Sequence, residues 1–193
     1  YLAYQKKLGQ QIKTKTIALV MVGYRNASVL ISDKGIVSPD GKTSDLGMIR
    51  LLEKVVARTS GQDASQLASA VVAAGNDIST TPLTKLLKST SNINKRHELT
   101  QIQSSIKLAR SEYAAVLTSW LNQVVARNLI SEILFCGGTA DYMRRELNSH
   151  YSGTPCLWGV GTDIPTQVDS FGLGSRLADV YSVFLYFSQR IGN

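Results

Sequence analysis

The chain is 193 residues long, enough for one substantial core or two small ones. Apolar residues make up 44% and charged residues 18%, a balance that excludes an intrinsically disordered chain. With 21 Lys and Arg against 14 Asp and Glu the formal charge is +7, which favours acidic partners without choosing among them. The opening, YLAYQKKLGQQ, reads as the end of an amphipathic helix, because Tyr1, Leu2, Tyr4 and Leu8 share one apolar face and no capping residue precedes them. The expectation is a piece of a longer protein whose upstream half lies outside it. Two β-branched, apolar runs follow, Thr16–Val22 and Ala27–Ser32, joined by Gly23, Tyr24, Arg25 and Asn26. Asp33-Lys34-Gly35 leads into a short Ile36–Val37, and Ser38-Pro39-Asp40-Gly41 turns the chain again. This is the pattern of a β-meander.

The next stretch is helical. Ser44 is expected to cap a helix through DLGMIRLLEKVVAR, with Leu46, Ile49, Leu52 and Val56 at helical spacing and Gly61 past its end. Asp63 caps a second helix over ASQLASAVVAAG, and Pro82, in a first turn, opens a short PLTKLLK. The longest element runs from about Asn94 to Arg127. There Leu99, Ile102, Ile106, Ala109, Tyr113, Val116, Trp120 and Val124 follow three- and four-residue steps. Small and polar residues interrupt that seam, so it reads as a helix lying across its own domain rather than a coiled coil. A strand over Ile130–Phe135, a Gly137-Gly138 turn, a helix over about Ala140–His150, a strand over Pro155–Val160 and a helix over about Ser175–Arg190 follow. An antiparallel meander first and strand–helix alternation later define an α/β fold with a mixed sheet.

Several chemistries drop out. Cys136 and Cys156 fit no metal-ligand spacing and the only histidines are His97 and His150, whereas a zinc site draws about four ligands from close sequence pairs. Reduced cysteines in a cytoplasmic protein are the expectation. The longest apolar run, Ile17–Val22, falls far short of the roughly 20 residues that span a bilayer, so no membrane partner is expected. Basic residues are spread along the chain, Lys107, Arg110, Arg144 and Arg145 among them, and read as a solvated surface. No GxSxG elbow is present, which argues against a hydrolase triad. Asp163 and Asp169 sit in a Gly/Pro loop and read as turn residues, and Cys136 as a small buried filler.

Two stretches carry more information. In VGYRNAS a glycine and polar residues between two strands can present backbone N–H groups to a phosphate, although alone this is an ordinary hairpin turn. In ILFCGGTA two glycines at the C-terminal end of a strand let a ligand approach the backbone, and a helix N-terminus follows, although alone this too is a plain strand-to-helix turn. Asp141, in the first turn of that helix, offsets some of its attraction for anions and suits a ribose and base better than a triphosphate.

Taken in order, meander with Gly turn, helical stretch, strand–Gly-Gly–Thr–Ala–helix and terminal helix, the chain resembles the C-terminal half of the actin-like (ribonuclease H-like) ATPase fold. GLGSRLADVYSVFLYF and TSDLGMIRLLEKV are similar to bacterial plasmid-segregation actins of the ParM/StbA kind. The resemblance covers nearly the whole chain but roughly half of the family's fold. It implies that residues 1–193 form the second, nucleotide-binding domain, that residues 44–127 are a mostly helical insertion, and that the first domain lies upstream. Gly23, Tyr24, Arg25 and Asn26 would then face the β- and γ-phosphates, and Gly137, Gly138 and Thr139 would line the adenosine. Further implications are ATP or GTP as ligand with Mg²⁺ in the whole protein, self-association into filaments, an adaptor bound to plasmid DNA, and a cytoplasmic location. Asn26 stands where the family often has Thr, and its amide can still donate to a phosphate oxygen.

One departure matters. The family's phosphate hairpin usually begins Asp-x-Gly, where the carboxylate helps to hold hydrated Mg²⁺, and here that position is Met21. Either the metal is held from outside this chain, or nucleotide is bound with weak or absent hydrolysis. The chain alone is expected to show no substantial ATPase activity. Two alternatives stay open: another ATPase of the superfamily, such as a chaperone or sugar kinase, and a non-catalytic actin-fold module that binds DNA or protein through a basic surface.

Overall fold

The computed structural model describes residues 8–59, 61–159, 164–170, 172 and 174–191; the helix expected around Tyr1, Leu2 and Tyr4 falls outside them, as does Asp163. The two apolar runs form β1 (Thr16–Val22) and β2 (Ala27–Asp33), paired antiparallel from Thr16 opposite Asp33 to Val22 opposite Ala27. The outer edge of β2 carries two short antiparallel strands, β3 (Ile36–Val37) and β4 (Lys42–Ser44). On the other side of β1, β5 (Glu132–Cys136) and β6 (Cys156–Trp158) add in parallel, so the order is β3-β2-β1-β5-β6 with β4 also on β2. The result is a six-stranded mixed sheet of an α/β fold.

Strand alternation divides the core between two faces. Ala18, Val20 and Val22 of β1 and Ile133 and Phe135 of β5 point to the face that the helices cover. Ile17 and Leu134 point the other way, where Ile12 of a 3₁₀ turn (Gly9–Thr14) meets them in a much smaller cluster.

Between β4 and β5 run α1 (Met48–Val56), α2 (Ala64–Ala74), a one-turn α3 (Thr80–Leu83) and α4 (Asn92–Val124). At 33 residues α4 is about 50 Å long and lies across its own domain, packed against α1. Lys54 of α1 and Arg58 just past its end both reach Glu112 of α4, at 2.9 and 2.8 Å. The Lys54 hydrogen bond, more than any other contact, holds that carboxyl below its usual range. The buried stripe of α4 is Ile102, Ile106, Ala109, Tyr113, Leu117 and Leu121. The expected seam departs from it after Tyr113, where it steps three residues to an exposed Val116 while the helix face steps four to Leu117.

The helix starts follow from their donors. Asp63 caps α2 as expected, accepting from the Ser65 and Gln66 amides at 3.0 Å each. Its carboxyl is held low, first by the Ser65 hydroxyl. Ser79, not Pro82, marks the start of α3, so that helix begins two residues before the proline. Ser44 is not the cap of α1, since it ends β4 and the helix begins at Met48 after Gly47. The strand expected from Ile130 starts at Glu132, because the amides of Leu129 and Ile130 close turns onto Ala126 and Arg127.

After β5 the single expected helix is two, α5 (Gly138–Tyr142) and α6 (Arg144–His150), with the break at Met143. α7 (Ala178–Ile191) follows a 3₁₀ turn at Gly174–Leu177. The Gly174 amide donates to the Asp169 carboxylate at 2.7 Å, the turn role expected of that aspartate. Arg110, expected on the solvated surface, is buried. Its guanidinium bonds Glu146 of α6 at 2.8 and 3.0 Å, the Tyr142 carbonyl at 2.9 Å and the Asn76 side chain, and it lies over the Tyr142 ring. Among the described residues no helix is long and apolar enough to cross a membrane.

Candidate functional site

β1 and β5 are parallel neighbours, so the turns that follow them leave the sheet at the same end. Crevices outside the carboxyl ends of such strands are where open α/β sheets hold ligands. Here the crevice is a cleft of about 840 Å³, and all seven expected residues line it: Gly23, Tyr24, Arg25 and Asn26 from one turn, Gly137, Gly138 and Thr139 from the other.

The hairpin wall is built by backbone bonds. The Gly23 amide closes the turn onto the Asn26 carbonyl at 2.9 Å. The carbonyls of Arg25, Gly23 and Tyr24 then accept from the amides of Gly47, Met48 and Ile49 at 3.0, 3.1 and 3.0 Å. Those are the orphan donors at the start of α1, and the hairpin satisfies them, which is why no side chain caps this helix. Gly47 is essential to the dock, because a Cβ there would lie 2.3 Å from the Tyr24 carbonyl oxygen. With its carbonyls turned to α1, the hairpin leaves the Tyr24 and Arg25 amides with no acceptor among the described residues. The side chains of Tyr24, Arg25 and Asn26 are exposed.

The Gly-Gly wall is built differently. Gly137 has φ +95°, and a Cβ on it would meet the Val22 carbonyl oxygen at 2.5 Å. Room for a ligand was the sequence-based reason for this glycine; the space is occupied by β1. Thr139 is buried and its hydroxyl donates to the Gly23 carbonyl at 2.7 Å, tying the second turn to the first. Asp141 pairs with Arg144 at 2.7 Å, and Arg144 lies over the Trp158 ring on the outer surface, as expected of that helix face. Cys136, expected as a buried filler, is half-buried.

A third wall was missed in the sequence. Ser65, Ala68, Ser69, Val72 and Ala73 of α2 line the cleft, a stripe at the i, i+3, i+4, i+7, i+8 spacing of one helix face. The signal was present: ASQLASAVVAA has no charged residue, so neither face of this helix carries the charges usual on a solvated one. Leu67, Ala70, Val71 and Ala74 meet the core, and the stripe beside them meets the cleft. Arg110 ties this wall to the Gly-Gly wall, since Asn76 and the Gly75 carbonyl follow α2 while Tyr142 and Glu146 follow Gly138.

Met21 lines the cleft, and no Asp or Glu is among the described residues that line it. Among the described residues no three His, Cys, Asp or Glu side chains come together. The donor set therefore does not fit Mg²⁺, a hard cation that is held through carboxylates and phosphates.

The sheet order defines a mixed α/β protein with a cleft at the carboxyl ends of two parallel strands, and comparison narrows it. No protein-family model matches the chain and no curated protein matches it in sequence. Solved structures do match. An archaeal actin homolog, Ta0583, is 13% identical with a TM-score of 0.55, over 93% of this chain and 54% of that one. Bacillus thuringiensis ParM with ADP is 9% identical with a TM-score of 0.55, over 89% and 48%. The PilM–PilN type IV pilus biogenesis complex gives 12% identity and a TM-score of 0.57, over 92% and 47%. The chain has the actin-like fold, and it spans about half the length of the structures it matches.

Proposed function

We propose that this chain is the second, nucleotide-binding domain of an actin-like, filament-forming ATPase of plasmid or DNA segregation, with residues 44–127 as its helical insertion. One observation carries the reading. The two turns singled out in the sequence, more than a hundred residues apart, meet at one cleft and bring all seven expected residues to its lining. The hairpin offers unpaired amides and Arg25 as donors suited to a phosphate, and the small, neutral stripe of α2 beside the Gly-Gly wall suits a nucleoside. That ParM has been seen with ADP on this fold supports the same ligand here. ATP, or GTP, is the nucleotide implied, in a cytoplasmic protein whose filaments engage DNA through an adaptor.

Met21 favours binding over turnover. No described residue that lines the cleft carries a carboxylate or imidazole to act as a general base on an attacking water, so this chain alone is expected to bind without hydrolysing. The test is calorimetric titration of the chain with ADP and ATP. Saturable binding is expected, weakened by bulky replacement of Ser69 on α2. A chain that binds neither nucleotide but binds DNA in a salt-sensitive way would replace this reading with the non-catalytic module.

A further inference from the structure

We propose that the cleft takes its nucleotide free of divalent metal, with the Arg25 guanidinium as the counter-charge for the phosphates. This rests on the nucleotide reading above. The first support is the donor set. Mg²⁺ demands near-octahedral oxygen ligands and is usually anchored through a carboxylate. Carboxylates on the surrounding elements are already committed: Asp45 to Arg50, Asp63 to the amides of α2, Asp141 to Arg144. Met21 offers a thioether, a soft ligand suited to soft metals. The Thr139 hydroxyl is tied to the Gly23 carbonyl.

The second support is Arg25. Among the described residues that line the cleft it is the only charged side chain, and it is exposed. Other arginines around the cleft are engaged: Arg50 with Asp45 and Glu53, Arg110 with Glu146, Arg144 with Asp141. Arg25 makes no side-chain hydrogen bond or ion pair among the described residues. Its backbone is nevertheless held in place, because its own carbonyl and those of its two predecessors dock on α1. A guanidinium on a fixed turn presents a planar fork that pairs with a phosphate through two parallel bonds. The neighbouring amides of Tyr24 and Arg25 add donors without adding bulk.

The experiment is titration of the 193-residue chain with ADP in excess EDTA and in excess Mg²⁺, repeated with Arg25→Ala and Arg25→Lys. Kd is expected to agree within about twofold between the two conditions. Arg25→Ala should raise Kd about tenfold in both, the loss of one charge-assisted contact, and Arg25→Lys should restore part of it. Melting temperatures of the three proteins should coincide, since the side chain makes no hydrogen bond or ion pair among the described residues. Binding that needs Mg²⁺, or a Kd unmoved by Arg25→Ala, overturns the inference and leaves the nucleotide reading standing. No saturable ADP binding in either condition overturns both.

Discussion

The two turns that close the cleft sit on neighbouring parallel strands, yet they divide the work unequally. The Gly-Gly turn has the more ligand-like sequence, but its residues hold the fold together: Gly137 admits the Val22 carbonyl and the Thr139 hydroxyl bonds Gly23. The hairpin looks like a common turn, but its carbonyls face α1 and its side chains stand free. A glycine motif therefore marks close approach of backbone, and the approaching group can be the protein itself. The exposed side chains, Tyr24, Arg25 and Asn26, belong to the plainer turn.

Substitutions can break or sharpen this contrast. The largest effect is expected from Gly137→Ala, which places a Cβ against backbone at a left-handed φ; it should cost about 3 kcal/mol in denaturant unfolding. A near-neutral result would return this glycine to a ligand role. Thr139→Val removes one donor from a carbonyl that Met48 still satisfies, and about 1 kcal/mol is expected by the same measurement. Arg25→Ala should leave stability within about 0.5 kcal/mol of the parent. A large loss there would mean that the hairpin side chains, too, are structural.

How far the sequence could be read depended on the range of the interaction that decides each feature. β1 and β2 were legible almost to the residue, because apolar β-branched runs ended by Gly23 and by Asp33-Lys34-Gly35 leave little choice of register. The Asp63 cap was legible because its partners lie two and three residues away. The start of α1 was not, since its donors are satisfied by a hairpin more than twenty residues upstream; a Gly inside the assumed helix was the unused warning. On α4, one wrong step at Tyr113 turned the seam toward Val116, since both Val116 and Leu117 are apolar and only the packed neighbours distinguish them.

The candidate site divides the same way. Residue chemistry marked both turns as able to meet a ligand, and the family resemblance joined them and set Met21 apart, because short motifs carry their own geometry. Only the tertiary structure brought them to one cleft, added the α2 stripe as a third wall and buried Arg110 between two walls. Periodicity and caps are local, written within a few residues and readable there. Which carbonyl fills the space beside a glycine, and which arginine is left with a free charge, depends on segments that meet only after the sheet has formed.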